Sequence, residues 1–434
     1  MKKLFFVDSI YFSSEDAENA GNEGIESEVI VSLIAVGEAE RERENEDNAP
    51  IMVSLQRSQL QYDPRGGDIR EGWYVFFNDK PRQGEFYFSY ASRTKLAQEQ
   101  IRLNDDLRSQ LRTASNGFSD IISDDDVQKL LYSSEVRSYH VNVGHGNCSL
   151  ILIKNVSGCQ IWMIDCSIHE RQNKKVRYEN HQAALDKCMQ QIVKDSNMNV
   201  QKLHIDRFFL THMHYDHYNG MKYLIDRGYM DQNTICYINL KYQMASKNMN
   251  AILQRMANKG IHKIVEPLTV NSSPAIQILY PERPICRSTG TAIGDCRIEK
   301  NVNNSSSVIR FNLGKHTLVC PGDVEQNGLK AMSAYLPYPP YCYADIYVVS
   351  HHGSFNGHPS YKPVLVPPFM RKGKYMPYYT LFMGRDGAYN GIYSSKVKNF
   401  FSQISWPILT DMSATGRSLS FVMIDWQNGN VTMN

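Results

Sequence analysis

Four side chains of metal-ligand type fall within six residues: His212, His214, Asp216 and His217, in the segment HMHYDH. Imidazole nitrogen and carboxylate oxygen are the donors that suit Zn²⁺, Mn²⁺ or Fe. An apolar run precedes the segment and a Gly-containing helix start follows, so it reads as the loop where a strand ends. Alternate residues His212 and His214 can face one centre there, while Asp216 and His217 turn toward a neighbouring one. Two later elements extend the set. Asp323, in VCPGDVE, ends a hairpin strand, where its two oxygens can bridge two cations. His351 and His352, in SHHGS, end the next strand. Taken singly, a GD pair is a turn and an HH pair is ordinary; the argument rests on the ensemble. Two divalent cations close together lower the pKa of a shared water, which is hydrolytic chemistry.

The elements that must position these residues alternate strand and helix from Val136 onward. SYHVNVGHGNCSLILI and GCQIWMIDCS read as strands with an open loop at Gly144–Asn147, and His181–Lys194 as a helix. Strand patterns follow in TICYINL, HKIVEPLTV and AIQILYP, with a helix over Asn248–Lys259 among them. SSVIRFNLGKHTLVCPGD reads as a hairpin, Val324–Leu336 as a helix, and ADIYVVSHHGS, YYTLFMGRDG and SLSFVMIDWQNGNVTM as the last strands. Polar groups sit where strands give way to loops, the usual position of sites in αβ folds. Residues 1–135 differ. Strand-like Lys3–Val7, Val29–Val36 and Ile51–Leu55 surround a charged run at Gly37–Asn48, and aromatic-rich Gly72–Asn78 and Gly84–Tyr90 follow. Leu96, Ile101, Leu103, Leu107 and Leu111 then recur at near-helical spacing. We expect a small α+β accessory module with a helical connector over 1–135, holding no reaction centre, and the catalytic unit over 136–434. Trp73, Tyr74, Phe76, Phe77, Phe86, Tyr87 and Phe88 have the spacing of strand core, with base stacking as the functional alternative.

Composition bounds the rest. In 434 residues, 42% are hydrophobic and 21% charged, which describes a folded chain of two or three domains. No apolar run nears the roughly 18–20 residues that span a bilayer, and Asp8 breaks the short N-terminal patch. We expect no membrane partner. The formal charge of +2 hides a division. Residues 1–135 carry 15 Lys and Arg against 26 Asp and Glu, and the remainder 32 against 19. A basic catalytic unit suits an anionic partner, nucleic acid or nucleotide, and the acidic module suits a protein partner or a gate. Docking of the two halves on each other explains the same division. The nine cysteines all follow Glu135 without a CxxC, which reads as free thiols in a cytoplasmic protein.

These motifs together resemble the metallo-β-lactamase superfamily, and within it the hydrolase domain of ComEC-type competence proteins. LTHMHYDHYNGMKYL resembles the HxHxDH loop, LVCPGDVE the bridging-acid strand and DIYVVSHHGS the last histidine strand; the likeness covers roughly 136–434. It implies an α/β (α+β) fold, an αββα sandwich, with two divalent ions, Zn or Mn, at one edge. His212 and His214 would hold the first ion, Asp216, His217 and His352 the second, and Asp323 would bridge them. Asp165 would orient a ligand histidine. Asp216, His351 and His145 form the implied catalytic set, with His351 free to move a proton or touch substrate. Asn142 and His145-Gly146-Asn147 stand where the family carries Asp and Gln-Gly-Asp, and Ser167 replaces a Gly. Asn147 therefore lines the site without the usual charge. A third histidine for the first ion is missing, with His262 and His316 in unsuitable contexts and His145 a substitute. Arg385, Ser354 and the backbone amides of Gly353–Gly357 are the phosphate-contact candidates, while Asp386–Ser395 replaces a family loop.

The expected function is a metal-dependent phosphodiesterase or nuclease acting on DNA, RNA or a cyclic nucleotide. An ester, lactone or thioester hydrolase of the same fold is the alternative, and a degraded binding module the third reading.

Overall fold

The computed structural model describes residues 3–12, 28–36, 50–63, 67–156, 158–171, 178–198, 203–286, 297–298, 302–333, 344–358, 379–385, 393–411 and 419–434. The charged run at Gly37–Asn48 and residues 386–392 of the replaced family loop lie outside them.

Strands β1 (Lys3–Phe12), β2 (Glu28–Val36), β3 (Ile51–Gln56), β4 (Tyr74–Phe77) and β5 (Phe88–Tyr90) form an antiparallel sheet in the order β3-β2-β1-β4-β5. Alternation along β1 divides its side chains between two cores. Phe5 and Val7 pack with Val29, Val31, Leu33 and Phe88 inside the module, whereas Leu4 and Phe6 join the core of the larger unit. The strand expected from Gly84 shortens to Phe88–Tyr90, because Gly84 takes a left-handed φ of 85° in a turn. Tyr74 and Phe88 are fully buried, which is core rather than stacking surface.

Helix α1 (Lys95–Ala114) starts at Thr94, whose hydroxyl accepts the Ala97 N–H. Its buried stripe is Ala97, Ile101, Asn104, Leu107, Arg108 and Leu111. Leu96 and Leu103, expected on that stripe, are exposed; a polar seam replaces them. The Asn104 amide donates to Asn250 Oδ1 at 2.7 Å, and Arg108 donates to Asn104 Oδ1 at 2.9 Å and to the Leu240 carbonyl at 2.7 Å. Helix α2 (Asp124–Gln128), capped by Ser123, leads into the second unit.

There β6 (Glu135–Val141), β7 (Cys148–Asn155) and β8 (Gly158–Cys166) run antiparallel. Next come β9 (His169–Arg171), β10 (Tyr178–Asn180), α3 (Gln182–Ser196), β11 (Arg207–Phe209), α4 (Tyr215–Tyr218), α5 (Met221–Asp226), β12 (Ile235–Tyr237), α6 (Lys247–Asn258) and β13 (Ile264–Val265). The second half contains β14 (Ile276–Tyr280), β15 (Ile285–Cys286), β16 (Arg297–Ile298), β17 (Val308–Leu313), β18 (His316–Cys320), α7 (Gln326–Ser333), β19 (Ile346–Val348), β20 (Tyr379–Phe382), α8 (Ser395–Ser402), β21 (Trp406–Leu409), β22 (Phe421–Asp425) and β23 (Val431–Met433). One sheet has the order β13-β12-β11-β8-β7-β6-β22-β23, the other β14-β17-β18-β19-β20-β21.

The fold is mixed α/β. The two sheets share one apolar core, with Ile151, Ile153, Trp162, Ile164 and Phe209 from the first and Ile309, Phe311, Leu318, Val348 and Leu381 from the second. Intervening side chains of the same strands, among them Leu150, Leu152 and Met163, belong to a second core with Leu185 and Ile192 of α3 and Leu253 of α6. Among the described residues, no helix is long and apolar enough to cross a membrane. Part of the charge division is neutralised internally. Asp120 of the acidic segment takes a two-pronged bond from Arg207, at 2.7 and 2.8 Å, and accepts the Tyr237 hydroxyl at 2.9 Å.

Candidate metal centre

Parallel pairing of β8 with β11 brings their carboxyl ends side by side. Asp165 near the end of β8 holds the chain leaving β11: it accepts the Thr211 N–H and the Thr211 hydroxyl, each at 2.8 Å. It also accepts His217 Nδ1–H at 2.8 Å, which aims Nε2 the other way. Asp165 has a left-handed φ of 52°, a conformation that side-chain-bearing residues hold only when their surroundings over-determine it. His351 and His352, at φ 48° and 53°, share this feature.

The second sheet brings the remaining groups. Ser306 Oγ accepts the Asp323 N–H at 3.1 Å, and the Ser307 N–H donates to the Thr211 carbonyl at 2.8 Å. His352 Nδ1–H donates to the Met383 carbonyl at 2.6 Å. Ligand atoms of Asp216, His217, Asp323 and His352 consequently lie within 4.8 Å of one another, and all four residues are buried. His217 Nε2 is 3.3 Å from Asp323 Oδ2, and His352 Nε2 is 3.2 Å from the same oxygen and 3.3 Å from Asp216 Oδ2. His212 Nε2 and His214 Nδ1 converge to 3.0 Å beside them, with the His212 ring 4.1 Å from that of His217.

The donor set fits divalent cations on a further observation. Both Asp216 oxygens, Asp323 Oδ1, His217 Nε2 and His352 Nε2 are buried with no hydrogen-bond partner among the described residues. Buried polar atoms are normally paired, because leaving one unpaired costs roughly 1–3 kcal/mol. One ligand atom from each of the four residues shares this space, an arrangement able to hold a cation. Proton affinities follow the same crowding. Burial opposes ionisation of Asp216 and Asp323, yet His217 and His352 hold both carboxyls well below the usual range. Burial likewise opposes charging His352, but Asp323 and Asp216 lift it to about 10. His212 goes well down, through burial and the neighbouring imidazoles.

Other expected site residues fall in distinct places. His145 Nε2 lies 3.3 Å from Asp216 Oδ2, its ring 4.3 Å from that of His352. Gly146, at φ 136°, makes this approach possible: a Cβ there would meet the Asp216 carbonyl and Ser167 Oγ at 2.6 Å. Asn147 bonds through its backbone, donating to the Asp216 carbonyl at 3.2 Å. His351 sits 3.9 Å from Asp323 Oδ2 and 3.5 Å from Glu325, and burial lowers it to about 4. Ser354 is buried and donates its N–H to the His351 carbonyl. Arg385 is not set apart for an anion; its Nε donates to Asp411 at 2.9 Å. His262 and His316 do not join the cluster, and His316 instead faces Asp345 at 3.6 Å.

Three residues of 1–135, Asp8, Tyr11 and Glu71, also stand beside the cluster. Asp8 lies where β1 slips register against β2, a bulge that re-aims a side chain. Its Oδ2 accepts the Tyr215 N–H at 3.3 Å, one residue from Asp216. Burial raises the Asp8 carboxyl well above its usual value, and Asp216 adds to the effect. The Tyr11 ring stands 6.3 Å from that of His145 and 6.4 Å from that of His351. Glu71, in the turn before β4, places Oε1 3.8 Å from His214 Nε2. The signal in the sequence was Asp8 itself, an acid interrupting an apolar strand. No family model matches the chain, and no curated protein matches it at a significant level.

Proposed function

We propose that the chain is a metal-dependent hydrolase of the metallo-β-lactamase superfamily, an αββα sandwich similar to the ComEC-type hydrolase domain, acting on phosphodiesters in DNA, RNA or a cyclic nucleotide. The observation that carries this reading is the buried convergence of Asp216, His217, Asp323 and His352 within 4.8 Å, with their facing atoms unpaired. In this reading His212 and His214 would hold one cation and Asp216, His217 and His352 a second, with Asp323 serving both. Such ions, when bound, supply Lewis acidity and water activation. The protein's own residues do the positioning. Asp165 and the Met383 carbonyl fix two imidazole tautomers. His351, which burial keeps neutral at pH 7, stands at the edge of the cluster 3.9 Å from Asp323 Oδ2. The excess of Lys and Arg after residue 135 supports an anionic substrate.

The pairing of Arg385 with Asp411 favours a second reading, a carboxylic ester or thioester substrate, because it neutralises a cation expected on phosphate. The free thiols at Cys148, Cys159, Cys166, Cys188, Cys236 and Cys320 support a cytoplasmic setting. The test is a panel of DNA, RNA, cyclic nucleotides and generic esters, with Zn²⁺ and with Mn²⁺, beside Asp216→Ala. Phosphodiester cleavage abolished by Asp216→Ala is the expected result. Cleavage of esters alone replaces the substrate class. Cleavage that survives Asp216→Ala, or none across the panel, overturns the proposal.

A further inference from the structure

We infer that Glu71 is a positioning residue for His214, so that residues 1–135 complete the subsite of the first cation. The inference rests on the metal-binding reading above. Each candidate ligand imidazole turns one nitrogen inward and has the other held from behind. His217 is held by Asp165 at 2.8 Å, His352 by the Met383 carbonyl at 2.6 Å, and His212 Nδ1 lies 3.3 Å from the Thr211 hydroxyl. His214 is the exception within its own unit. Its Nδ1 converges with His212 Nε2, and its Nε2 is buried without a hydrogen-bond partner among the described residues. Glu71 Oε1 faces that nitrogen from the small module at 3.8 Å, an ion-pair rather than a hydrogen-bond distance.

Glu71 is held firmly for such a task. Oε1 accepts the Ile10 N–H and Oε2 the Val302 N–H, both at 3.0 Å, and the residue is 6% exposed. One donor lies in β1 and the other in the larger unit, so the carboxylate sits at the seam. Each oxygen retains a second lone pair. A cation on Nδ1 withdraws density from the ring and makes Nε2–H a stronger donor, and a carboxylate opposite it raises ligand basicity. A closing movement of under one ångström turns the ion pair into a charge-assisted hydrogen bond. The competing role is mechanical: through Ile10 and Val302, Glu71 merely fastens the module down.

The two roles separate in a metal titration of the full chain. Wild type, Glu71→Gln, His214→Ala and the double variant are stripped with chelator and titrated with zinc against a chromophoric competitor, folding being followed by circular dichroism. Positioning through His214 predicts that Glu71→Gln weakens one of two zinc sites by about 10–100-fold and leaves the other unmoved. Added to His214→Ala, it weakens nothing further. Equal affinities in wild type and Glu71→Gln, or the same loss with and without His214, overturn the inference while the metal reading stands. A wild type that takes up no zinc overturns both. Where Glu71→Gln does not fold, Glu71→Asp takes its place under the same criteria.

Discussion

Asp165 carries more of the centre than any ligand does, although it touches no cation in the proposed arrangement. It fixes the Thr211 backbone, the Thr211 hydroxyl and the His217 tautomer with one carboxylate. Asp165→Asn removes the charge and one of the two acceptor oxygens, while Asn tolerates the left-handed backbone at this position. We expect roughly 10–100-fold weaker zinc binding with the fold intact, read by competition titration; an unchanged affinity would refute the assigned role. Gly146 is the steric counterpart. Gly146→Ala places a methyl 2.6 Å from the Asp216 carbonyl at a backbone angle Ala rarely adopts. The expected cost is about 1–3 kcal/mol in urea unfolding, with zinc affinity falling because Asp216 must move. Parent-like stability would show that the loop relaxes freely.

Among the elements, the seam between α1 and α6 shows how the two units are held together. Asn104 is fully buried and links Asn250, Arg108 and the Met244 carbonyl. Asn104→Ala removes the bonds to Asn250 Oδ1, Arg108 Nε and the Met244 carbonyl, although Arg108 keeps Leu240 and Asn250 keeps Gln100, at about 1–3 kcal/mol for the network. Urea unfolding measures this; a loss under about 0.5 kcal/mol would mean the seam repacks. β1 works in a similar way. Its alternation sends Leu4 and Phe6 into the larger unit, and its bulge delivers Asp8 beside Asp216. A strand that builds the small sheet therefore also forms one wall of the candidate centre.

For the molecule as a whole, buried neutral imidazoles tie stability to pH. His140 lies between Ser138 Oγ and Ser149 Oγ in the first sheet, and burial lowers it to about 3. The unfolded chain binds a proton near pH 6.5 that the folded chain refuses. The stability involved is complete above that pH and is lost as pH falls toward 3, at roughly 1.4 kcal/mol per unit. His358, also lowered to about 3 by burial, acts in the same direction. Between pH 7 and 5 His140 should account for about 2 kcal/mol of lost stability in urea unfolding. His140→Gln should show a correspondingly shallower decline, and equal slopes would remove His140 from the account.

The chain's own order of residues determined the histidine- and aspartate-rich loop, the alternation of strand and helix after Val136, and the strand ends that carry Asp323 and His352. These are local properties: donor type, spacing of two or four residues, and apolar periodicity. It could not reveal that Arg385 answers to Asp411 or that Glu71 faces His214. Those relations join residues 26 to 143 positions apart, and they exist only because sheet packing closes such distances. Burial then decides which atoms are left without partners, and burial belongs to the folded whole.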